Sequence, residues 1–541
     1  MTGEVSYVTQ AGPITRTEVE RIAAYFRLKP VEQVVVKQCF APSQRVQELA
    51  IGSFGKYSEV AAAKTFVNDR IKTIGYLSPP LSGSTMKSKV TRSILSPYFV
   101  EEEREACGEY PGFHVPVFVG HMVDGKWVSP WTNAFKTLNF KVPEDVAMRL
   151  AIADYINGAQ NLFTEGYRPL TENEVYKGQE GTTLHAKNIR TSVGPPFNKS
   201  KRHYMDLSEA RASVDPVLLK MTDEVEEMLD QGLTPIFLSL NTLKDEPVKT
   251  GKMPRIFNVL PDVFNSLLKK YAGPLRKFMR ANPFFFESMI GVNMTSVEGV
   301  NELVNRLRAM DPTLARMIDG DATAMDKSWS DSLIAEFGFA CAYLTFVLGG
   351  EDVKVWLLCN ALAHLIYCIK NDCYQAPHNP SGHDATGEQN GMGISIGERY
   401  VYYRDRLLRG EVIEREEIDK WFHDIQKGWK LLPYQPQLDF RARIALITFG
   451  DDNAKAYSLG TEIPENYAQI WREELGMIMK PADKGVSDFK FKHLSGISFL
   501  KRHFVQSETL GGAYVAPLEM KSIIRMLTMK KGSSLTDRDH A

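Results

Sequence analysis

Cysteine is scarce. The 541 residues hold six, Cys39, Cys107, Cys341, Cys359, Cys368 and Cys373, and none stands in a C-x-x-C pair. A disulfide-built secreted scaffold is thereby excluded, and free thiols in a reducing compartment are the plain reading. Long apolar runs are missing too. The most apolar stretches, 337–348 and 353–369, fall short of about 18 uncharged apolar residues, and Lys354 and His364 interrupt the second. Both predict buried helices, not membrane spans. The start, MTGEVSYVTQ, lacks a basic-then-apolar signal pattern. Neither sign of charge prevails: 65 Lys and Arg face 66 Asp and Glu, a net of −1. Taken alone, that balance argues against a nucleic-acid binder, because such domains are usually basic. It is silent on where the charges sit.

What is present is an ordinary globular composition, 43% hydrophobic and 24% charged. At about 150 residues per domain, the length suits three to four domains. A helical stretch is expected near Arg16–Phe26, and the Pro-, Gly- and Ser-rich run 76–84 predicts a loop. Residues 215–231 predict a helix, with Asp215 as N-cap, Pro216 at the first helical position and Gly232 as the stop. Residues 236–243 predict a strand. Helices and short strands mix without regular alternation, which favours an α+β fold over a doubly wound sheet.

Two acidic clusters carry candidate chemistry. The first, MIDGDATAMDKSW, holds Asp319, Asp321 and Asp326 ahead of a helix expected near Ser328. Carboxylates at a strand end suit Mg²⁺. An EF-hand loop starting at Asp319 would need Gly at its sixth position and Glu at its twelfth; Ala324 and Ser330 stand there. D-G-D-A-T also resembles the D-x-D-x-T of haloacid-dehalogenase-type phosphatases, with Asp319 as nucleophile, although Arg316 interrupts the apolar strand that reading needs. The second cluster follows an apolar strand at 444–449, where Gly450 allows a sharp turn and Asp451 and Asp452 project from the tip. Together with Asp321 they could hold two metal ions for phosphoryl-type transfer.

Between the clusters lies S-G-x-x-x-T-x-x-x-N, formed by Ser381, Gly382, Thr386 and Asn390. Thr386 and Asn390, four apart, share a helix face and could read a sugar hydroxyl. Basic residues are segregated. Segments 244–280 and 484–531 each hold nine basic and three acidic residues. A basic loop such as Lys244, Lys249, Lys252, Arg255 suits a triphosphate or a nucleic-acid backbone. A zinc site among His364, Cys368, Cys373, His378 and His383 lacks any C-x-x-C or H-x-x-x-H anchor; His364 and Cys368 are expected on an apolar helix.

In order and spacing, the set resembles picorna-like (picornavirus, dicistrovirus or iflavirus-type) viral RNA-dependent RNA polymerases. TSVGPP (191–196) resembles the template-contacting loop through Thr191, Ser192 and Gly194. KDE…K…R resembles the phosphate-binding motif of the fingers. D-x-x-x-x-D (Asp321, Asp326), the Ser-Gly loop and G-D-D follow, then KPADKG (480–485) with Lys484, and FLKR (499–502) with Lys501 and Arg502. MKSKVTRSILSPYF, beginning at Met86, resembles the start of the fingers. The pattern departs at Phe449, where the family mostly has Tyr, and at the Pro in KMPR. Only 37 residues follow Phe504.

The resemblance implies a right-hand fold with an antiparallel palm sheet flanked by helices. It implies an N-terminal extension at 1–84, fingers at 85–285 with a return at 373–387, palm at 286–372 and 388–504, and a short or truncated thumb at 505–541. It further implies two Mg²⁺, with Mn²⁺ as a substitute, on Asp321, Asp451 and Asp452, and Lys484 as proton donor to pyrophosphate. Lys244, Lys252 and Arg255 would hold phosphates, and Asp326, Ser381, Gly382, Thr386 and Asn390 the nucleotide. The implied partners are an RNA template and primer, NTPs, a protein primer and other viral replication proteins. The implied location is the host cytoplasm, at membrane-associated replication complexes. A reverse transcriptase fits less well, because Asp326 and Asn390 suit a ribose reader. The phosphatase and a non-catalytic RNA-binding polyprotein fragment are the alternatives.

Overall fold

The chain is described from a computed structural model covering residues 7–9, 12–14, 72–76 and 87–532, save 124, 136–137, 163–165, 196, 198, 370–371 and 484–487. The helix expected at 16–26 and the loop residues 77–84 lie outside the described residues.

Two sheets position the site. The first has four antiparallel strands in the order Ile444–Phe449, Asp452–Tyr457, Met317–Ala322, Met479–Lys480. It is covered on both faces, and the period-2 alternation of the 444–449 strand shows why. Ala445 and Ile447 pack with Val300, Leu303, Val304 and Leu307 of the helix Val297–Met310. Ile444 and Leu446 face the other way, onto Phe440 and Tyr457, with Tyr402 of the helix Thr386–Leu408 beside them. The strand expected at 444–449 is therefore present at those bounds.

The second sheet runs Ile256–Val259, Leu238–Leu243, Ile366–Ile369, Asp372–Gln375, Lys72–Tyr76. Its 238–366 pair is parallel and the other pairs are antiparallel. Residues 72–76, inside the segment read as an extension, thus supply an edge strand beside Asp372–Gln375. The helix Pro216–Asp230 starts where the sequence indicates, with the Asp215 carboxylate accepting from the Val217 N–H.

One expectation fails here. The run 353–369 is not a single buried helix. A helix spans Asp352–Ala363, and Ile366–Ile369 is a strand, so Cys368 lies on a strand opposite Cys373. A short, fully buried apolar run looks the same in either state, and the parallel partner Leu238–Leu240 decides it. The other run, up to Val347, lies within the helix Asp331–Val347, which Ser330 caps and which starts three residues later than expected near Ser328.

Beyond FLKR, Val505–Ser507 and Ala513–Val515 form a hairpin, Met520–Thr528 a helix, and Met529–Lys531 a strand that pairs with Val90–Arg92. The end of the described chain therefore docks on the segment Val90–Arg92, more than 400 residues earlier.

Candidate active site

The acidic residues meet at one end of the four-stranded sheet. Asp321 is register partner of Asp452 on one side and of Lys480 on the other. Phe449 pairs with Asp452 across the hairpin, and Gly450, at φ +65°, takes the left-handed conformation that the turn requires. Asp451 sits at its tip. Desolvation by the surrounding protein, and then the charges of Asp321 and Asp326, push the Asp451 carboxyl upward, while Arg255 pulls it down. Asp452 is pushed up to about 6 by desolvation, Asp451 and Asp321, with Lys501 opposing. The four carboxylates thus share one field, as like charges in a cleft must.

Asp319 stands apart from them. It is 1% exposed and accepts from the N–H groups of Ser498 (2.9 Å) and Ala482 (3.2 Å) and from Lys492 Nζ (3.2 Å). A nucleophile has to be reached by its substrate, so this placement removes the phosphatase reading. Asp319 instead ties the Asp321 strand to the segments carrying KPADKG and FLKR. Asn453 ties it to G-D-D, its Nδ2 donating to the Gly320 carbonyl at 3.1 Å. The buried Lys455 reaches Asn453 Oδ1 at 3.4 Å and pairs with Glu398 and with the Tyr467 hydroxyl.

The basic segment is less free than its sequence suggests. Arg255 donates through Nε and Nη2 to Glu246 at 2.5 and 2.8 Å, and Lys244 lies 3.6 Å from the same carboxylate. Lys252 is exposed in the turn between them. The helix Asp262–Ala281 spends its cations internally. Lys269 donates to the His185 carbonyl, Lys270 pairs with Glu226, and Arg276 and Arg280 converge on Glu388. The surplus expected over 244–280 is therefore only partly a surface charge. Those acidic partners are distant in sequence, so no local count finds them.

The Ser-Gly loop precedes the helix Thr386–Leu408. Thr386 Oγ1 donates to the His383 carbonyl at 2.7 Å. Asn390 Oδ1 accepts from Asn379 Nδ2 at 3.0 Å, and the Asn379 N–H donates to the Asp326 carbonyl at 2.7 Å. Asp326 and Asn390 are thus brought together, with Lys327 Nζ 3.4 Å from the Asp326 carboxylate. Ser381 Oγ is buried without a hydrogen-bond partner. Gly382 permits the loop: a Cβ there would lie 1.5 Å from the Asn258 carbonyl oxygen. Gly382→Ala is expected to displace the 381–386 loop and lower synthesis by about 100-fold, the order of loss when reacting groups shift by an ångström. Single-turnover incorporation checks this.

On the remaining sides, Thr191 Oγ1 donates to the Asn188 carbonyl and Gly194 N–H to Ser192 Oγ. The Val193 carbonyl accepts from the Asp262 N–H, while the Asp262 carboxylate holds Lys187 (2.7 Å) and Lys201 (3.1 Å). Lys501 is exposed in a tight turn at φ +59°, and Arg502 Nη1 donates to the Ala516 carbonyl. Lys484 lies outside the described residues.

Comparison with known proteins decides the family. The family described as "Viral RNA-dependent RNA polymerase" matches residues 150–537. The chain belongs to that family. Its enzyme class is RNA-directed RNA polymerase. The chain is 26% identical over 403 residues to the replicase polyprotein of Drosophila C virus, covering 68% of this chain and 21% of that one. It is 24% identical over 388 residues to the RNA1 polyprotein of tomato ringspot virus, covering 66% and 16%. The chain therefore spans about a fifth or less of these relatives. In structure it is similar to the sicinivirus 3Dpol RNA dependent RNA polymerase, with a TM-score of 0.66 at 17% identity, covering 87% of this chain and 89% of that one. The fold is thus the right-hand α+β polymerase fold.

The polymerase's carboxylates suit a divalent cation by their chemistry: they offer hard oxygens, and desolvation first, then the neighbouring carboxylates, pushes Asp451 and Asp452 toward protonation. Among the described residues no three His, Cys, Asp or Glu side chains form a preformed metal cage. Sequence reasoning missed four functional candidates in the polymerase. Glu246 was visible in KDE and Asn453 follows G-D-D directly. Asn379 carried no signal, and His383 was weighed only as a zinc ligand.

Proposed function

We propose that the polymerase extends an RNA primer on an RNA template by two-metal nucleotidyl transfer. The convergence of Asp321, Asp451 and Asp452 at one sheet end carries this reading. Two Mg²⁺, with Mn²⁺ as a substitute, held by Asp321 and Asp451 with help from Asp452, would supply acidity to the primer 3′-hydroxyl and neutralise the triphosphate. Lys244, Lys252 and Arg255 bind the phosphates once Glu246 gives up its two cations, and they stabilise the charge that grows in the transition state. Lys484 donates a proton to the leaving pyrophosphate, a contribution of about 10²–10⁴-fold. Thr191, Ser192 and Gly194 position the template, and Lys501 and Arg502 grip the primer.

Asp326 and Asn390, with Ser381, Gly382 and Thr386, read the ribose. A site built to pair a hydroxyl rejects the analogue that lacks it, because its own polar groups are left unpaired. Replacing Asn390 with Ala is therefore expected to narrow the preference for ribonucleotides over deoxyribonucleotides by about tenfold. The ratio of kcat/KM for the two sugars measures it.

The fingers, palm and thumb take the bounds 85–285 with 373–387, 286–372 with 388–504, and 505–541. The working place is the host cytoplasm, at membrane-associated replication complexes with a protein primer and other viral proteins. Among the described residues no helix is long and apolar enough to cross a membrane. Primer extension on an RNA template with Mg²⁺ tests the reading. Template binding without incorporation would instead favour a non-catalytic RNA-binding fragment.

A further inference from the structure

The ribose-reading asparagine is not oriented by itself. The Ala385 N–H donates to His383 Nδ1 at 3.2 Å. A backbone N–H can only donate, so Nδ1 accepts and the ring proton of the neutral imidazole sits on Nε2. Burial holds His383 neutral by pushing its pKa down to about 3. Nε2 lies 3.1 Å from Asn379 Oδ1 and donates to it. That fixes which way round the Asn379 amide lies: its Oδ1 is used by the histidine, so its Nδ2 donates to Asn390 Oδ1 at 3.0 Å. Each link has one available direction, and the last leaves the Asn390 Nδ2 hydrogens unclaimed by the relay.

The same small group sets the other ribose candidates. The Asn379 N–H holds the Asp326 carbonyl, and the Thr386 hydroxyl is spent as a donor on the His383 carbonyl. Asn379 is fully buried and touches none of the metal-centre carboxylates by hydrogen bond in the structure.

We infer that Asn379, polarised by His383, is a positioning residue for sugar selection, presenting Asn390 as a hydrogen-bond donor to the nucleotide 2′-oxygen. The inference rests on the ribose reading of Asn390. A 2′-hydroxyl then accepts from Asn390 Nδ2 and gives its own hydrogen to the Asp326 carboxylate. Were the relay reversed, Asn390 would offer an acceptor beside a carboxylate, and the hydroxyl's single hydrogen could serve only one of them.

The experiment compares single-nucleotide incorporation of a ribonucleotide and its 2′-deoxy analogue in four proteins: wild type, Asn390→Ala, Asn379→Asp and His383→Phe. Asn379→Asp keeps size and the acceptor for His383 but loses the donor for Asn390. Both relay variants are expected to lower ribonucleotide kcat/KM by about five- to tenfold and leave deoxyribonucleotide incorporation and RNA affinity at wild-type levels. Deoxyribonucleotide incorporation is the internal control for folding, since a collapsed loop loses both sugars together. Equal loss for both sugars in both relay variants overturns the inference. So does a wild-type ratio in Asn379→Asp while Asn390→Ala narrows it, which would leave the ribose reading standing. An unchanged ratio in Asn390→Ala removes the ribose reading and the relay with it.

Discussion

Primer extension by Asp451→Asn is expected to fall by about three orders of magnitude while RNA binding and thermal melting stay at wild-type values. The substitution keeps the volume and one oxygen of the side chain and removes its charge. Charge is what Asp451 contributes, because it stands at a hairpin tip in a field already raised by Asp321 and Asp326. A divalent cation supplies several kcal/mol of charge stabilisation at a transferring phosphoryl group, and each 1.36 kcal/mol is about tenfold in rate. The geometry of the hairpin does not depend on that carboxylate. Its strands are locked by the 444–449 and 452–457 register, and Asn453 holds Gly320 across the neighbouring strand. Loss of rate with intact folding therefore isolates the chemical role. Synthesis retained at more than a tenth of wild type would remove Asp451 from the metal centre.

The parts of this site that were legible in the sequence are those built by local rules. The 444–449 strand alternates between two apolar faces and ends in a Gly-Asp-Asp turn, so period and punctuation agree. The 216–230 helix announces itself through Asp215 and Pro216. What stayed hidden depends on partners far along the chain. Ile366–Ile369 becomes a strand because Leu238–Leu240 lies beside it. Arg276 and Arg280 look like a nucleic-acid surface until Glu388, about a hundred residues on, takes them both. Asp319 looks like a nucleophile until Ser498 and Lys492 close over it. His383 was set aside with the zinc reading, and its positioning role stayed hidden because sequence shows its type and not which of its nitrogens is already taken.

Arg399→Met should cost about 3–5 kcal/mol of stability, the size of effect seen when one partner of a buried ion pair is removed. Arg399 is fully buried at the crossing of three elements. Its Nε donates to Asp154 Oδ1 at 2.6 Å, and Nη1 and Nη2 form a fork on Glu287 at 2.7 and 2.8 Å. The Tyr403 hydroxyl and the Phe440 N–H occupy the other Asp154 oxygen. Methionine fills the space and leaves two carboxylates without their cation in a low-dielectric interior. The damage would reach the active site along a traceable path, since the Glu287 carbonyl accepts both the N–H and the hydroxyl of Thr448, two residues before Gly450. A lowered urea midpoint in Arg399→Met is the first measurement. The second is the triple variant Arg399→Met with Asp154→Asn and Glu287→Gln, in which the two stranded carboxylates are replaced by neutral amides of the same shape. It should recover part of the loss, because the penalty lies in the stranded carboxylates and not in the missing attraction. A triple variant no more stable than the single one would assign the loss to packing around Phe440 and Tyr155, whose rings flank the guanidinium at 4.3 and 5.4 Å.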